Sequence, residues 1–167
     1  LVLGQEESKV LSHKRVQSIA YSHTLNQLAP FDLSAALCHR FTLREWFSNG
    51  CVFYYANIAA RSISDIKGAV PPCVLFAVYL TYSNGWTTSA RFQNEDHVCW
   101  LCFDRDGSDS LEHYASCVFQ WRVFAKRFRK FICPCSLPRF LGLYAESKKD
   151  KIYHAVHMYA VLHAYNG

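Results

Sequence analysis

Four side chains with metal-ligand chemistry fall at one informative spacing, Cys99-x2-Cys102-x10-His113-x3-Cys117. A Cys-x-x-Cys turn presents two thiolates from one knuckle. A histidine and a cysteine four residues apart share a face when the segment between them is helical. Three sulfurs and one imidazole nitrogen are a donor set for a closed, tetrahedral Zn2+ site. The ten residues between the pairs, FDRDGSDSLE, hold Gly107 and the aspartates Asp104, Asp106 and Asp109. They suit a polar loop that returns the chain to a helix capped by Ser110. Four protein ligands leave no open position for a water, so the expected ion folds the segment and does not catalyse. The spacing differs from the short retroviral knuckle and from the two-Cys, two-His finger, so neither mode of recognition carries over.

Beyond Cys117 the chain turns basic. Arg122, Lys126, Arg127, Arg129 and Lys130 place five cations within nine residues. Spacings of three and four put most of them on one helix face, a pitch suited to following phosphates. The alternative is a solvated basic face opposite a buried Trp121/Phe124/Phe128 stripe. Trp86 and Arg91, with Phe92, are candidates for stacking on unpaired bases; alternatively Trp86 and Phe92 form an apolar seat for the knuckle. Cys133 and Cys135, with His154 and His157 three apart, offer a weaker second metal set. Histidines on an aromatic helix are more often packed. Cys38, Cys51 and Cys73 lie in apolar contexts and read as buried thiols.

Enzymatic readings have little to stand on. Cys38 and His39 are adjacent, not a placed nucleophile and base, and no acid partner can be named for them. The His-x-Glu and Pro-Cys-x-x-Cys elements of a zinc deaminase are absent. The favoured reading is a non-enzymatic nucleic-acid-binding zinc module, with RNA or DNA as partner. The alternative is a zinc-stabilised helical protein-interaction domain.

These side chains need elements to position them, and the pattern is mostly α. Val10, Val16, Ile19, Ala20 and Leu25 recur at helical spacing over about 5–28, before Pro30. Asp32 or Ser34 caps a second helix that buries Leu37, Phe41 and Trp46 and ends at Asn49-Gly50. Residues 52–66 fit a helix, although CVFYYANIAA also fits a strand. Pro71-Pro72 opens an apolar run that ends at Asn84-Gly85. The strongest helix covers about 110–132, and Cys133-Pro134 stops it. A last helix, about 147–165, places Ile152, Val156, Tyr159 and Leu162 or His163 on one face. The expected result is a small helical domain organised around a CCHC zinc knuckle.

Composition agrees with one domain, or one with a short companion. The chain has 167 residues, 51% hydrophobic and 16% aromatic, with few glycines and prolines, which excludes disordered and collagen-like chains. Net charge is +5 but uneven. Residues 1–94 carry 8 basic and 5 acidic side chains, residues 95–117 carry 1 and 6, and residues 118–167 carry 9 and 2. An acidic insert between basic segments fits a module with one face for an anionic partner. The longest apolar stretch, AVPPCVLFAVYLTY, is too short for a membrane span and contains two prolines. No signal-peptide pattern opens the chain, so its eight cysteines are expected reduced, in an intracellular compartment.

The segment CWLCFDRDGSDSLEHYASCVFQW (99–121) resembles the zinc-binding segment that follows the polymerase in non-LTR, LINE-type, retrotransposon reverse transcriptases. It shares Cys-x-Leu-Cys, an acidic loop, an acidic residue before the histidine, then Cys and an aromatic. Residues 70–93 are similar to the helix and Asn-Gly-Trp-x-Thr-x-x-Arg-Phe segment that precede such knuckles. IYHAVHMYAVLHAYN (152–166) resembles the helix that closes these C-terminal regions. The resemblance implies a zinc-binding helical domain over 70–167 that helps hold template RNA or target DNA, with a polymerase domain upstream in the same parent chain. It also implies a cytoplasmic or nuclear site, the nucleus favoured. Residues 1–69 fit linker or thumb-side helices. The paired aspartates of a polymerase active site are missing, so this chain is not expected to polymerise.

Overall fold

The computed structural model describes residues 32–92, 98–103, 108–128 and 136–166. The expected helix over 5–28, Asp104, Asp106, Arg129, Lys130, Cys133 and Cys135 lie outside these residues. The described residues are mostly helical, with no strand among them. Their helices are α1 (Leu33–Leu43), α2 (Asn49–Ile66), α3 (Pro72–Tyr82), one-turn α4 (Ser89–Phe92), α5 (Leu111–Ser116), α6 (Val118–Phe128), one-turn α7 (Leu137–Phe140) and α8 (Lys148–Asn166).

The described residues from Leu33 onward form one compact unit. Residues 69 and 70, where the reading changes from linker or thumb-side helices to zinc-binding domain, lie in the turn between α2 and α3. Helices α1 and α2 pack as a pair, and α2 and α3 both pack on α8. Residues 52–66 are helix because their apolar side chains recur at intervals of three and four: Val52, Ala56, Ala59, Ile63 and Ile66 are all buried. Asn49-Gly50 opens α2 and does not close α1, which corrects the boundary read from sequence. The chain reverses earlier, where Glu45 takes a left-handed φ of 52° and its N–H bonds the Thr42 carbonyl.

Pro72 enters α3 in its first turn, where a missing N–H is harmless. Beyond its C-terminus, Asn84 adopts φ 49°. With the Asn84 amide oxygen facing it, the Arg44 guanidinium donates to that oxygen at 2.8–3.1 Å and ties the end of α1 to the end of α3. Across the core, Tyr82 Oη donates to the Leu141 carbonyl at 2.8 Å. Its hydroxyl lies wholly buried, which raises its pKa. Gly142, at φ 67°, lets the chain turn tightly from α7 towards α8; a Cβ there would sit 2.9 Å from His154 Cβ.

Two expected helices differ in detail. The continuous helix over 110–132 is broken at Cys117, whose ψ of 112° is not helical. The break strands carbonyls at the end of α5, and α6 satisfies them. Gln120 Nε2 donates to the Tyr114 carbonyl at 3.0 Å and Trp121 Nε1 to the Ala115 carbonyl at 2.6 Å. In α8 the buried side chains are His154, Ala155, His157, Met158, Val161 and Leu162, whereas Ile152, Val156 and Tyr159 are half-buried and His163 is exposed. The helix meets α2 and α3 on one side and the rings of α6 and α7 on the other, so it buries a wide arc and not the single stripe expected.

Candidate metal centre

The turn from Cys99 to Phe103 supplies the first two candidate ligands, Cys99 and Cys102. It closes with Phe103 N–H donating to the Cys99 carbonyl at 2.9 Å, and the backbone N–H groups of Leu101 and Cys102 point back at the Cys99 sulfur. Helix α5 supplies the third. Ser110 caps it as expected, its Oγ accepting from His113 N–H at 3.1 Å. The fourth candidate ligand, Cys117, sits at the break between α5 and α6, where the backbone N–H groups of Phe119 and Gln120 point at its sulfur. The non-helical turn thus starts a second N–H-lined cradle, facing the first.

The ligand atoms of Cys99, Cys102, His113 and Cys117 all lie within 4.8 Å of one another, with Cys102 Sγ 3.4 Å from His113 Nε2. Metal–sulfur and metal–nitrogen bonds of ~2.3 and ~2.0 Å place tetrahedral ligands about 3.5–3.8 Å apart. The group is therefore closed tightly enough to hold a metal ion. Cys99 and Cys117 are buried and Cys102 and His113 half-buried. Burial pushes the Cys99 thiol up to about 12 and the Cys117 thiol upward as well, with neighbouring sulfurs adding to both. Three crowded sulfurs ionise together only when a cation neutralises them, so loading a metal releases protons.

A polar network that the sequence did not reveal supports this group. Trp100 N–H donates to Tyr114 Oη at 3.3 Å, and Tyr114 Oη donates to Asp109 Oδ1 at 2.8 Å. Asp109 Oδ2 accepts from the N–H and the Oγ of Ser89, each at 2.7 Å, and from Tyr165 Oη at 3.4 Å. Asp109 is 1% exposed. It is a buried anchor joining the knuckle, α4, α5 and α8, and not a solvated loop acid. Burial, then the bond to Asp109, raises the Tyr114 pKa. A second link runs from Trp46 Nε1 to Glu112 Oε1 at 2.6 Å, tying the α1–α2 turn to α5. Nothing in the periodicity marks Asp109; its position just before the cap Ser110 is the only local signal.

The proposed nucleic-acid residues divide. Trp86 is 1% exposed, stacked on Tyr165 with ring centroids 6.0 Å apart and bonded through Nε1 to Thr81 Oγ1. It has no face to offer a base, and it seats the core beside Tyr114. Its partner in the alternative seat, Phe92, is 55% exposed and contributes no such packing. Arg91 is exposed, donates to the Trp86 carbonyl at 3.2 Å and lies over the Phe92 ring. Arg122, Lys126 and Arg127 are exposed on α6. Arg122 and Lys126, four apart, form one row; Phe119 and Val123 lie between that row and Arg127 on the exposed half of the helix. Of the stripe that the alternative reading buries, Trp121 and Phe124 are buried and Phe128 is only half-buried.

His157 is packed: its ring stacks on Phe124 at 3.8 Å, and its Nε2 bonds Gln120 Oε1. Burial, with His154 nearby, lowers its pKa to about 3, so it is neutral. Cys51 and Cys73 are exposed and Cys38 half-buried, contrary to the buried thiols expected. Both exposed thiols sit in the first turns of their helices, on faces directed away from the core.

Fold and site together define a small helical unit with a Cys3His group that can hold a metal ion. Comparisons with protein-family models, with curated proteins and with solved structures find no match to this chain. No helix among the described residues is long and apolar enough to cross a membrane.

Proposed function

We propose that the Cys3His group holds Zn2+ and that the module binds nucleic acid without catalysing a reaction, as in the C-terminal region of the non-LTR reverse transcriptases it resembles. One observation carries the reading: α6 starts at the ligand Cys117 and displays Arg122, Lys126 and Arg127 to solvent. A bound ion fixes the start of that helix, and so fixes the cations for contact with successive phosphates. Thiolate-rich donors favour Zn2+ over Mg2+ or Ca2+, which prefer oxygen. Template RNA or target DNA is the partner, with a polymerase domain of the same parent chain alongside it in the nucleus or cytoplasm.

The test is a titration of RNA and DNA against the zinc-loaded protein in rising salt. Replacing Arg122, Lys126 and Arg127 by Gln keeps zinc and fold and makes the salt slope shallower by up to about three units. An unchanged slope removes the reading. The exposed Phe119 and Val123 favour a second one, a protein-interaction surface, for which affinity responds little to salt.

A further inference from the structure

Phe103 lies just past the second knuckle cysteine, at a left-handed φ of 54°. Glycine suits that conformation, and a bulky side chain there strains the backbone. Burial does not compensate, because the Phe103 ring is 71% exposed. Trp100, between the knuckle cysteines, is 61% exposed, whereas Trp86 and Trp121 are buried and Trp46 half-buried. Its backbone is tied to Tyr114, so the ring projects from a fixed base. Phe119, two residues past Cys117, is 52% exposed. Leu101 lines one groove of about 190 Å3 with Phe119, Val123 and Arg127, so the knuckle adjoins the exposed half of α6.

Two exposed rings on the turn that carries Cys99 and Cys102, and a third on the helix that displays three exposed cations, fit a ligand that is both flat and anionic. We propose that Trp100, Phe103 and Phe119 form a stacking platform for the unpaired bases of single-stranded nucleic acid, while Arg122, Lys126 and Arg127 hold its phosphates. The proposal rests on the nucleic-acid reading above and narrows it to one strand state. Every base has a π face that an aromatic ring can cover, but a duplex hides those faces within its own stack. The cations alone would serve either form. The platform thus explains why strain is tolerated at Phe103: glycine there would relax the turn and remove a ring.

The experiment uses the zinc-loaded 167-residue chain, a short thymidine homopolymer and a blunt duplex of equal length. The single strand is expected to bind roughly tenfold more tightly than the duplex and to quench tryptophan emission, since Trp100 is the most exposed of the four tryptophans. Trp100→Ala and Phe103→Gly are each expected to weaken single-strand binding roughly tenfold and to leave duplex binding unchanged. Phe103→Gly should keep its zinc and melt no lower than the native protein, which separates lost stacking from lost fold. Equal affinity for both forms, or native affinity in both aromatic variants, overturns the platform. If Arg122→Gln with Lys126→Gln then weakens both forms, the broader nucleic-acid reading stands without it. If neither the single strand nor the duplex binds at low salt, both readings are overturned and the rings are left to a protein partner.

Discussion

Asp109 offers the sharpest test of the structure, because the sequence placed it with Asp104 and Asp106 in a polar loop. The carboxylate is 1% exposed and accepts three short hydrogen bonds, two from Ser89 and one from Tyr114. Hydrogen bonds to a charged group are worth about 1.5–3 kcal/mol each, and less than their sum when they share one acceptor. Asp109→Ala also leaves the buried Tyr114 hydroxyl and the half-buried Ser89 donors without this acceptor, so a loss of about 3–5 kcal/mol is expected. Against a total stability of about 5–15 kcal/mol that is a large fraction. Asp109→Asn keeps the shape and one acceptor oxygen and should lose about 1–3 kcal/mol. Urea unfolding of the zinc-loaded protein, followed by tryptophan emission, measures both, with the exposed Glu146→Ala as control. A double-mutant cycle with Tyr114→Phe should give a coupling of about 1–2 kcal/mol. A loss under about 1 kcal/mol for Asp109→Ala, or one equal to the control, refutes the buried network.

Metal analysis should find one zinc per chain, bound at the Cys3His group; Cys102→Ser should abolish binding, and a strong chelator should reduce the circular dichroism of the native protein. Burial lowers the His157 pKa to about 3, so the unfolded chain takes up a proton there first as pH falls below the ordinary value of 6.5. The native protein should therefore lose about 2 kcal/mol more than His157→Leu between pH 7 and pH 5, read from urea midpoints at each pH. Gly142→Ala must place a Cβ at positive φ and against His154; thermal melting should show a loss of about 1–3 kcal/mol. Native stability in that variant would mean the turn does not need the left-handed conformation.

The sequence by itself determined the helical class, the four side chains that gather into the Cys3His group and the Ser110 cap. Each is a local matter: residue type, spacing of three or four, or one side chain beside one N–H. The residues of α2 read as helix or strand until their 3.6 period met a core. Asn49-Gly50 looked like a helix end because those residues tolerate left-handed backbone, yet Glu45 takes that conformation here. Only the tertiary structure decided that the helix read over 110–132 breaks at Cys117, where the sulfur comes within 4.8 Å of those of residues fifteen and eighteen positions earlier in the chain. It alone decided that Asp109 is buried, that Trp86 is core and that Phe103 is strained and exposed. Burial is a property of what packs from elsewhere, and Ser89, Tyr114 and Tyr165 reach Asp109 from three separate elements. No local pattern encodes such a convergence, because the free energy that holds it exists only once the helices have met.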